Sequence, residues 1–591
     1  MLFRPTDSSP CKSAPARLLS AYTAHKLINH QQMHLAMSNI APLPSYLEPD
    51  YYLKNFRFLL AWVQKRHADL LNREEQNFIQ QFYQLDHDAQ CLLVRLSSRK
   101  GPLFRRDKLN YREISSLDLA AEQLINAELL QTDTPITVAA VCDNLTKSEM
   151  VLLFDAYLTD VKQARKETLV QSLASQFPEP LSWQAWTNNR FGEAWHLNNQ
   201  AIIQAFLLLF FGNAYQDLTE FVLQDLGIFR YENYTIDDQH RIFKNRIELD
   251  QYQQLIKLRE QLEHSLTSED LLTLAAQLPK DCTSDKLLRR RAKLCNQIAY
   301  ELERNNEYQS ALQLYEQSHL PPARERRIRL LEKQEKFTEA WELLIHLLEH
   351  PLNEQELQAA QRIAPRLAKK HGVSIEKQHP GAIPTRHLEL VRPANEQGNP
   401  LRVEEAVRIS LDTVEAPCIY AENALFGALF GLWLWPEMFR GIEGAFANPF
   451  QAAPLDLYQE DFVLNRPGMA ALWASLETDE YLHRIRQTWE EKQGIANHFV
   501  KWSFMTKDLL DMALHTIPAH HLSLIFKRLL FDIKNNRSGL PDLIQFYAAQ
   551  KTYRIIEVKG PGDRIQYNQQ RWLDYFAEQG IPAEVIYVRW Q

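Results

Sequence analysis

The sequence predicts a multidomain, mainly α-helical protein that closes with a C-terminal α/β unit. Three observations carry this. From about Ser45 to Leu278, apolar residues recur at three- and four-residue spacing with few glycines, the period of amphipathic helices. A helical pattern then repeats between residues 305 and 344. Past Gly539 the pattern changes to aromatic and β-branched runs bounded by turn residues, which read as strands. With 591 residues the chain is too long for one hydrophobic core.

Taken in order, residues 1–45 read as a flexible tail. Its first forty residues hold one acid, Asp7, among Ser, Pro and basic residues, and lack the apolar segment of a secretory leader. Residues 46–165 and 166–284 read as two successive helical modules. The longest apolar run, AIIQAFLLLFFG from Ala201, is too short to span a bilayer and predicts a buried helix, so no membrane partner is expected. Six scattered cysteines without a CxxC pair suggest neither disulfides nor a zinc site, and an intracellular, reducing location is expected.

The net charge of −8 argues against indiscriminate coating of a polyanion, yet three local runs are basic. Arg95, Arg99, Lys100, Arg105, Arg106 and Lys108 lie within fourteen residues that contain one acid, Asp107. KLLRRRAK (286–293) includes Arg289, Arg290 and Arg291, and ARERRIRLLEK (323–333) follows. Each run alone reads as a solvated helix face; together they suggest a positive track for phosphates.

Residues 285–378 hold the repeat. NNEYQSALQLY (305–315) aligns with QEKFTEAWELL (334–344) at an offset of 29, matching Tyr308 to Phe337 and Ala311 to Ala340. An aromatic followed three residues later by alanine lets paired helices approach closely, as in tetratricopeptide-like hairpins. The Pro- and Gly-rich residues 379–400 then read as a linker before a C-terminal unit over 401–591.

Chemistry concentrates in GLPDLIQFYAAQKTYRIIEVKG (539–560). Leu543–Tyr547 and Tyr553–Val558 read as two strands of a hairpin. A centre between Ala549 and Gln550 sets Asp542 opposite Glu557. Glu557 and Lys559, two apart, share a strand face. Facing carboxylates repel unless a cation neutralises them, and hard divalent ions prefer such oxygens. The alternative is an exposed hairpin with a Glu–Lys pair of little consequence. Glu422 opens a very apolar helix with Gly427 and Gly431 spaced for close packing. It is either a third acid of the site or a residue favoured by a helix N-terminus. Lys534 and Arg537, just before the hairpin, are either steering cations or solvated loop residues. His520 and His521 read as capping or surface residues ahead of LSLIFKRLL.

GLPDL, IIEVKGPGDRIQYNQQRWL and EVIYVRW resemble the VRR-type nuclease domain of the PD-(D/E)xK superfamily. Together with AENALFGALFGLW, QAAPLDLYQEDF, FVLQDLGIFRYENYTI and LVRLSSRK, they make roughly residues 50–591 similar to the Fanconi-associated nuclease family. The resemblance implies a helical DNA-binding region with an SAP-like element, tetratricopeptide-like helices and a C-terminal nuclease. It implies Glu422, Asp542, Glu557 and the Val558 carbonyl as ligands of Mg2+ or Mn2+, with Lys559 catalytic and Gln569 positioning. It further implies a structure-specific enzyme of interstrand cross-link repair. Such an enzyme cuts 5′-flap DNA and degrades from 5′ ends, leaving 5′-phosphates, and in a bacterial-type member is associated with the cytoplasmic nucleoid. Two departures stand out. No Cys/His cluster matches the ubiquitin-binding zinc finger of eukaryotic members, and the closing Val-Arg-Arg string reads Val588-Arg589-Trp590. Other readings are a junction-resolving endonuclease, which normally works as a dimer, and a DNA-binding scaffold with an inert nuclease fold.

Overall fold

The computed structural model describes residues 48–216, 230–263, 266–374, 383–395 and 397–591; the tail read over 1–45 lies outside them. Helices Tyr51–His67, Arg73–Gln84 and His87–Ser97 open the N-terminal body. Their ends follow local chemistry. Asn72 and Glu75 form a reciprocal capping box, and Asp86 caps the third helix through the Ala89 N–H. The apolar run at Ala201 is a helix, Gln200–Phe211, buried against the first helix and stopped by Gly212 in the left-handed region.

The region is mainly helical as expected, with one small addition the sequence did not signal. Leu103–Arg105 (β1), Leu130–Gln131 (β2) and Ala194–Leu197 (β3) form a small antiparallel sheet in the order β1-β3-β2. The boundary read at residue 165 lies within one packed cluster, which Val138, Met150, Leu169, Leu173, Trp183 and Trp186 share.

The repeat folds as helix pairs, Asp285–Arg304 with Tyr308–Glu316 and Ala323–Lys333 with Phe337–Glu349, followed by Glu354–His371. Ala311 and Ala340 are both fully buried at the close approach. The 29-residue offset extends to the turns, where Asn306 (φ 66°) and Glu335 (φ 61°) each reverse the chain.

Part of the expected linker is a strand. Thr385–Leu390 (β4) pairs in parallel with Ala583–Trp590 (β8). With Cys418–Tyr420 (β5), Leu543–Tyr547 (β6) and Thr552–Lys559 (β7) it forms a mixed five-stranded sheet in the order β4-β8-β7-β6-β5. Strand alternation assigns the faces. Leu543, Ile556, Val558, Ile586 and Val588 pack with helix Val403–Leu411. Ile544, Phe546 and Ile555 face helices Leu425–Met438, Ala519–Phe531 and Tyr567–Gln579.

The repeat and the sheet body interlock through a buried acid. Glu354 Oε1 lies 2.9 Å from Arg528 Nη2 in an ion pair, Oε2 lies 4.0 Å from Arg571 Nη1, and the Glu354 N–H donates to Asp532 Oδ2 at 3.1 Å.

Candidate active site

The β6–β7 hairpin has the register expected from its symmetry: Leu543 pairs with Ile556 and Ile544 with Ile555, which sets Asp542 across from Glu557. A 3-10 turn over Ala548–Gln550 and Lys551 in the left-handed region (φ 49°) make the reversal. Gly539 brings the chain in at φ 90°, and a Cβ there would stand 2.7 Å from the Asn568 backbone, so only glycine lets this loop pass the following helix.

The three charges are not decoration. Asp542 and Lys559 are each 7 % exposed, and Glu557 is wholly buried. Asp542 Oδ2 accepts the Val558 N–H at 2.9 Å. Lys559 Nζ lies 2.8 Å from Glu557 Oε1 and donates to Gln569 Oε1 at 2.9 Å. Gln569 is itself held, since its Oε1 also accepts the Gln566 N–H within a capping box that starts helix Tyr567–Gln579. The Lys559–Glu557 contact is an ion pair without hydrogen-bond alignment, so both carboxylate oxygens of Glu557 are buried with no hydrogen-bond donor.

Burial, then the nearby negative charge of Glu422 and Glu404, raises Asp542 above the usual carboxylate range against the pull of the Val558 N–H and Lys559. Burial and the Asp542 charge raise Glu557 further, with Lys559 opposing. Two facing, dehydrated carboxylates, Glu557 without a hydrogen-bond donor, are what a hard divalent cation relieves, and carboxylate oxygens are the donors such an ion takes. Glu404, in the first turn of helix Val403–Leu411, did not stand out in the sequence; its signal was a Val-Glu-Glu opening to an amphipathic helix.

Glu422 is brought to the same place from the other end of the unit. The Ala421 and Glu422 N–H groups donate to the Asp542 carbonyl at 2.8 and 3.1 Å. It does not begin the helix, which starts at Leu425, but occupies the turn before it. Its carboxylate is engaged by the Tyr420 hydroxyl and by Asn423 Nδ2. Among the described residues, no three His, Cys, Asp or Glu side chains come close enough together to hold an ion. Glu422 lies near enough for its charge to act on both Asp542 and Glu557, although the three acids are not drawn together into a closed ion site.

The expected basic track divides. Arg105 is 4 % exposed and chelated by Asp107 and Glu149, so it is a structural cation and not a phosphate contact. Arg289 is likewise taken up by Glu460 and Asp461. Arg290 donates to the Tyr252 hydroxyl, and Arg291 to the Pro279 carbonyl and Gln317. Arg95 pairs with Glu113 over the Tyr52 ring, and Arg106 pairs with Asp118. Arg99, Lys100 and Lys108 remain exposed.

A cleft of about 760 Å3 between the repeat and the sheet body carries Lys293, Arg326, Arg329, Arg362 and Lys534. Lys534 lies in the short helix just before Gly539 and is exposed. Arg537 Nη1 is fixed by Tyr458 Oη at 2.9 Å and His498 Nε2 at 2.5 Å. Burial and the Arg537 charge push His498 down to about 4, so it stays a neutral acceptor. His520 and His521 lie inside helix Ala519–Phe531 and not ahead of it; His521 Nδ1 sits 2.9 Å from the Tyr553 hydroxyl.

Comparison with known proteins bears on the same elements. Residues 476–590 match the VRR-NUC domain, residues 50–131 the FAN1 HTH domain, and residues 135–186 the Fanconi anemia-associated nuclease SAP domain. The Fanconi-associated nuclease 1 homolog of Pseudomonas aeruginosa is 40 % identical over 559 residues, spanning 93 % of this chain and 98 % of that protein. Human Fanconi-associated nuclease 1 and its rice homolog are 25 % and 24 % identical, and the chain spans 62 % of the length of each. The crystal structure of paFAN1 bound to DNA with a 2-nucleotide 5′ flap and a gap superposes with a TM-score of 0.78 at 39 % identity, covering 93 % of this chain and all of that one.

Proposed function

The chain belongs to the Fanconi-associated nuclease family, and from that premise we propose that it is a divalent-metal-dependent hydrolase that cuts DNA at 5′ flaps and degrades from 5′ ends. The observation that carries this is Glu557, wholly buried opposite Asp542, with no hydrogen-bond donor to either carboxylate oxygen and only the Lys559 ammonium beside it. A stable fold tolerates such a site when a cation completes it. A similar protein has been crystallised on DNA carrying a 5′ flap, which supports the substrate class.

Asp542, Glu557 and the Val558 carbonyl would hold Mg2+ or Mn2+, with Glu422 as the third acid. The ion, when bound, neutralises the scissile phosphodiester and polarises it. Lys559, fixed between Glu557 and Gln569, holds its ammonium where it can orient the attacking water and offset charge developing on the phosphate. Water attacks phosphorus, the bond to the 3′ oxygen breaks, and the proton given up by the water is made good on that oxygen, leaving a 3′-hydroxyl and a 5′-phosphate. Arg99, Lys100 and Lys108 contact phosphates along the duplex, and Lys534 and Arg537 guide the strand toward the site. These contacts read shape and charge rather than base sequence, which suits a branched substrate in interstrand cross-link repair. Among the described residues no helix is long and apolar enough to cross a membrane. Action on DNA at the bacterial nucleoid is part of the proposal and rests on the likeness to a DNA-bound bacterial relative.

The test is cleavage of 5′-labelled flap, nicked, single-stranded and four-way-junction DNA by the purified full chain with Mg2+ or Mn2+. Flap cleavage that is lost on chelation and in Asp542→Ala and Glu557→Ala is expected. Cleavage that survives equally in both variants, or is absent from the unaltered protein, overturns the proposal. Preference for the four-way junction would redirect it to junction resolution.

A further inference from the structure

We propose that Asn423 and Tyr420 are positioning residues for Glu422, fixing the direction of its carboxylate before any ion binds. This rests on the proposal that Glu422 is a metal ligand. Glu422 is exposed, and an exposed glutamate normally samples several rotamers, a freedom that binding an ion must suppress. Here both oxygens are occupied. The Tyr420 hydroxyl donates to Oε2, and Asn423 Nδ2 donates to Oε1 at 3.2 Å.

Asn423 does more than hold one oxygen. Its Oδ1 accepts the Leu540 N–H at 3.1 Å, so a single amide bridges the Glu422 carboxylate to the loop that carries Asp542. The two partners fix the amide's orientation, because a carboxylate takes only the NH2 end and a backbone N–H only the oxygen. The residue sits at φ 52°, a left-handed conformation that asparagine tolerates better than most side chains. With the Ala421 and Glu422 N–H groups on the Asp542 carbonyl, the segment 420–423 is tied to the 540–542 loop at three points. The Tyr420 hydroxyl also disperses the negative charge of Glu422, which acts on Asp542.

Partners behind metal ligands typically set affinity by about 10- to 100-fold. The experiment uses the full chain without DNA and Mn2+ as the probe, with free Mn2+ read by electron paramagnetic resonance. Glu422→Gln is the reference. Asn423→Gly keeps the backbone conformation and removes both amide contacts. Tyr420→Phe removes one hydroxyl from a residue that is 41 % exposed, so its folding is not at risk.

Each variant is expected to weaken Mn2+ binding, and the pair together by about 10-fold or more. The Mn2+ concentration for half-maximal flap cleavage should rise in parallel. If Glu422→Gln weakens binding but Asn423→Gly and Tyr420→Phe bind Mn2+ as the unaltered protein does, the positioning role is refuted and the metal reading stands. If Glu422→Gln binds unchanged, Glu422 is not a ligand and the inference falls with it. Should Asn423→Gly fold poorly, Tyr420→Phe alone decides.

Discussion

Glu557→Gln should make the metal-free protein more stable at alkaline pH while abolishing cleavage. Glu557 is wholly buried with both oxygens lacking a hydrogen-bond donor, and it faces Asp542 across the hairpin. Directly opposed strand positions hold charges about 5 Å apart, which at an effective dielectric of about 20 amounts to about 3 kcal/mol of repulsion. Lys559 offsets part of this, so the amide should stabilise by about 1–2 kcal/mol in chelator at pH 8. The sign follows from the direction of the shifts. Both carboxyls are raised in the folded state, so their contribution is fully present below the unfolded carboxylate pKa and is lost as pH climbs through the raised values. At pH 4 to 5 Glu557 is already protonated and the variant's advantage should vanish. Urea unfolding of both proteins at pH 5 and pH 8, with chelator and then with Mn2+, measures the effect. Mn2+ should stabilise the unaltered protein more as pH rises and do little for the variant. A Glu557→Gln protein that is less stable at pH 8, or whose gain does not depend on pH, would refute the account of an uncompensated acid pair.

Three further outcomes are expected. Gly539→Ala forces a side chain into the Asn568 backbone at φ 90° and should cost about 2 kcal/mol or more together with most flap cleavage, read by urea unfolding and kcat. Glu354→Ala leaves Arg528 and Arg571 partly buried without their acid and should cost about 3–5 kcal/mol by the same unfolding measurement, whereas Glu354→Gln should cost less. Arg105→Ala should destabilise the N-terminal body without changing the salt dependence of DNA binding. Lys100→Ala should leave stability alone and reduce the slope of log K against log salt by about 1.

The hairpin was legible because it is local. Its register follows from a symmetric pattern of apolar residues about Ala549 and Gln550, and the structure pairs Leu543 with Ile556 accordingly. The 29-residue repeat was legible for the same reason, down to the buried alanines at 311 and 340. The basic residues were not. A run of arginines looks alike whether it faces water or an acid brought from elsewhere, and Arg105 finds Glu149 while Arg289 finds Glu460. Composition counts such cations as available, whereas folding commits them to salt bridges. The short strands β1 to β3 were missed because two to four residues carry too little alternation to register against helical surroundings. Likewise β4 hid in a Pro- and Gly-rich stretch and becomes a strand by pairing with β8.

Glu422 shows how tertiary structure cancels sequence distance. Chain order separates it from Asp542 by the whole helical insertion between β5 and β6, yet those two strands are hydrogen-bonded neighbours. Their register pairs Cys418 with Gln545, Ile419 with Ile544 and Tyr420 with Leu543. The chain therefore leaves the sheet after Tyr420 and returns before Leu543 at the same point, so the first residues out and the last residues back must meet. Glu422 and Asp542 are those residues, and the backbone bonds from Ala421 and Glu422 to the Asp542 carbonyl continue the pairing past the strand ends. The insertion can then vary in its far parts without moving the acids, because their approach is set by β5–β6 pairing. A one-residue slip of that register would turn every side chain to the opposite face and separate Glu422 from the pair.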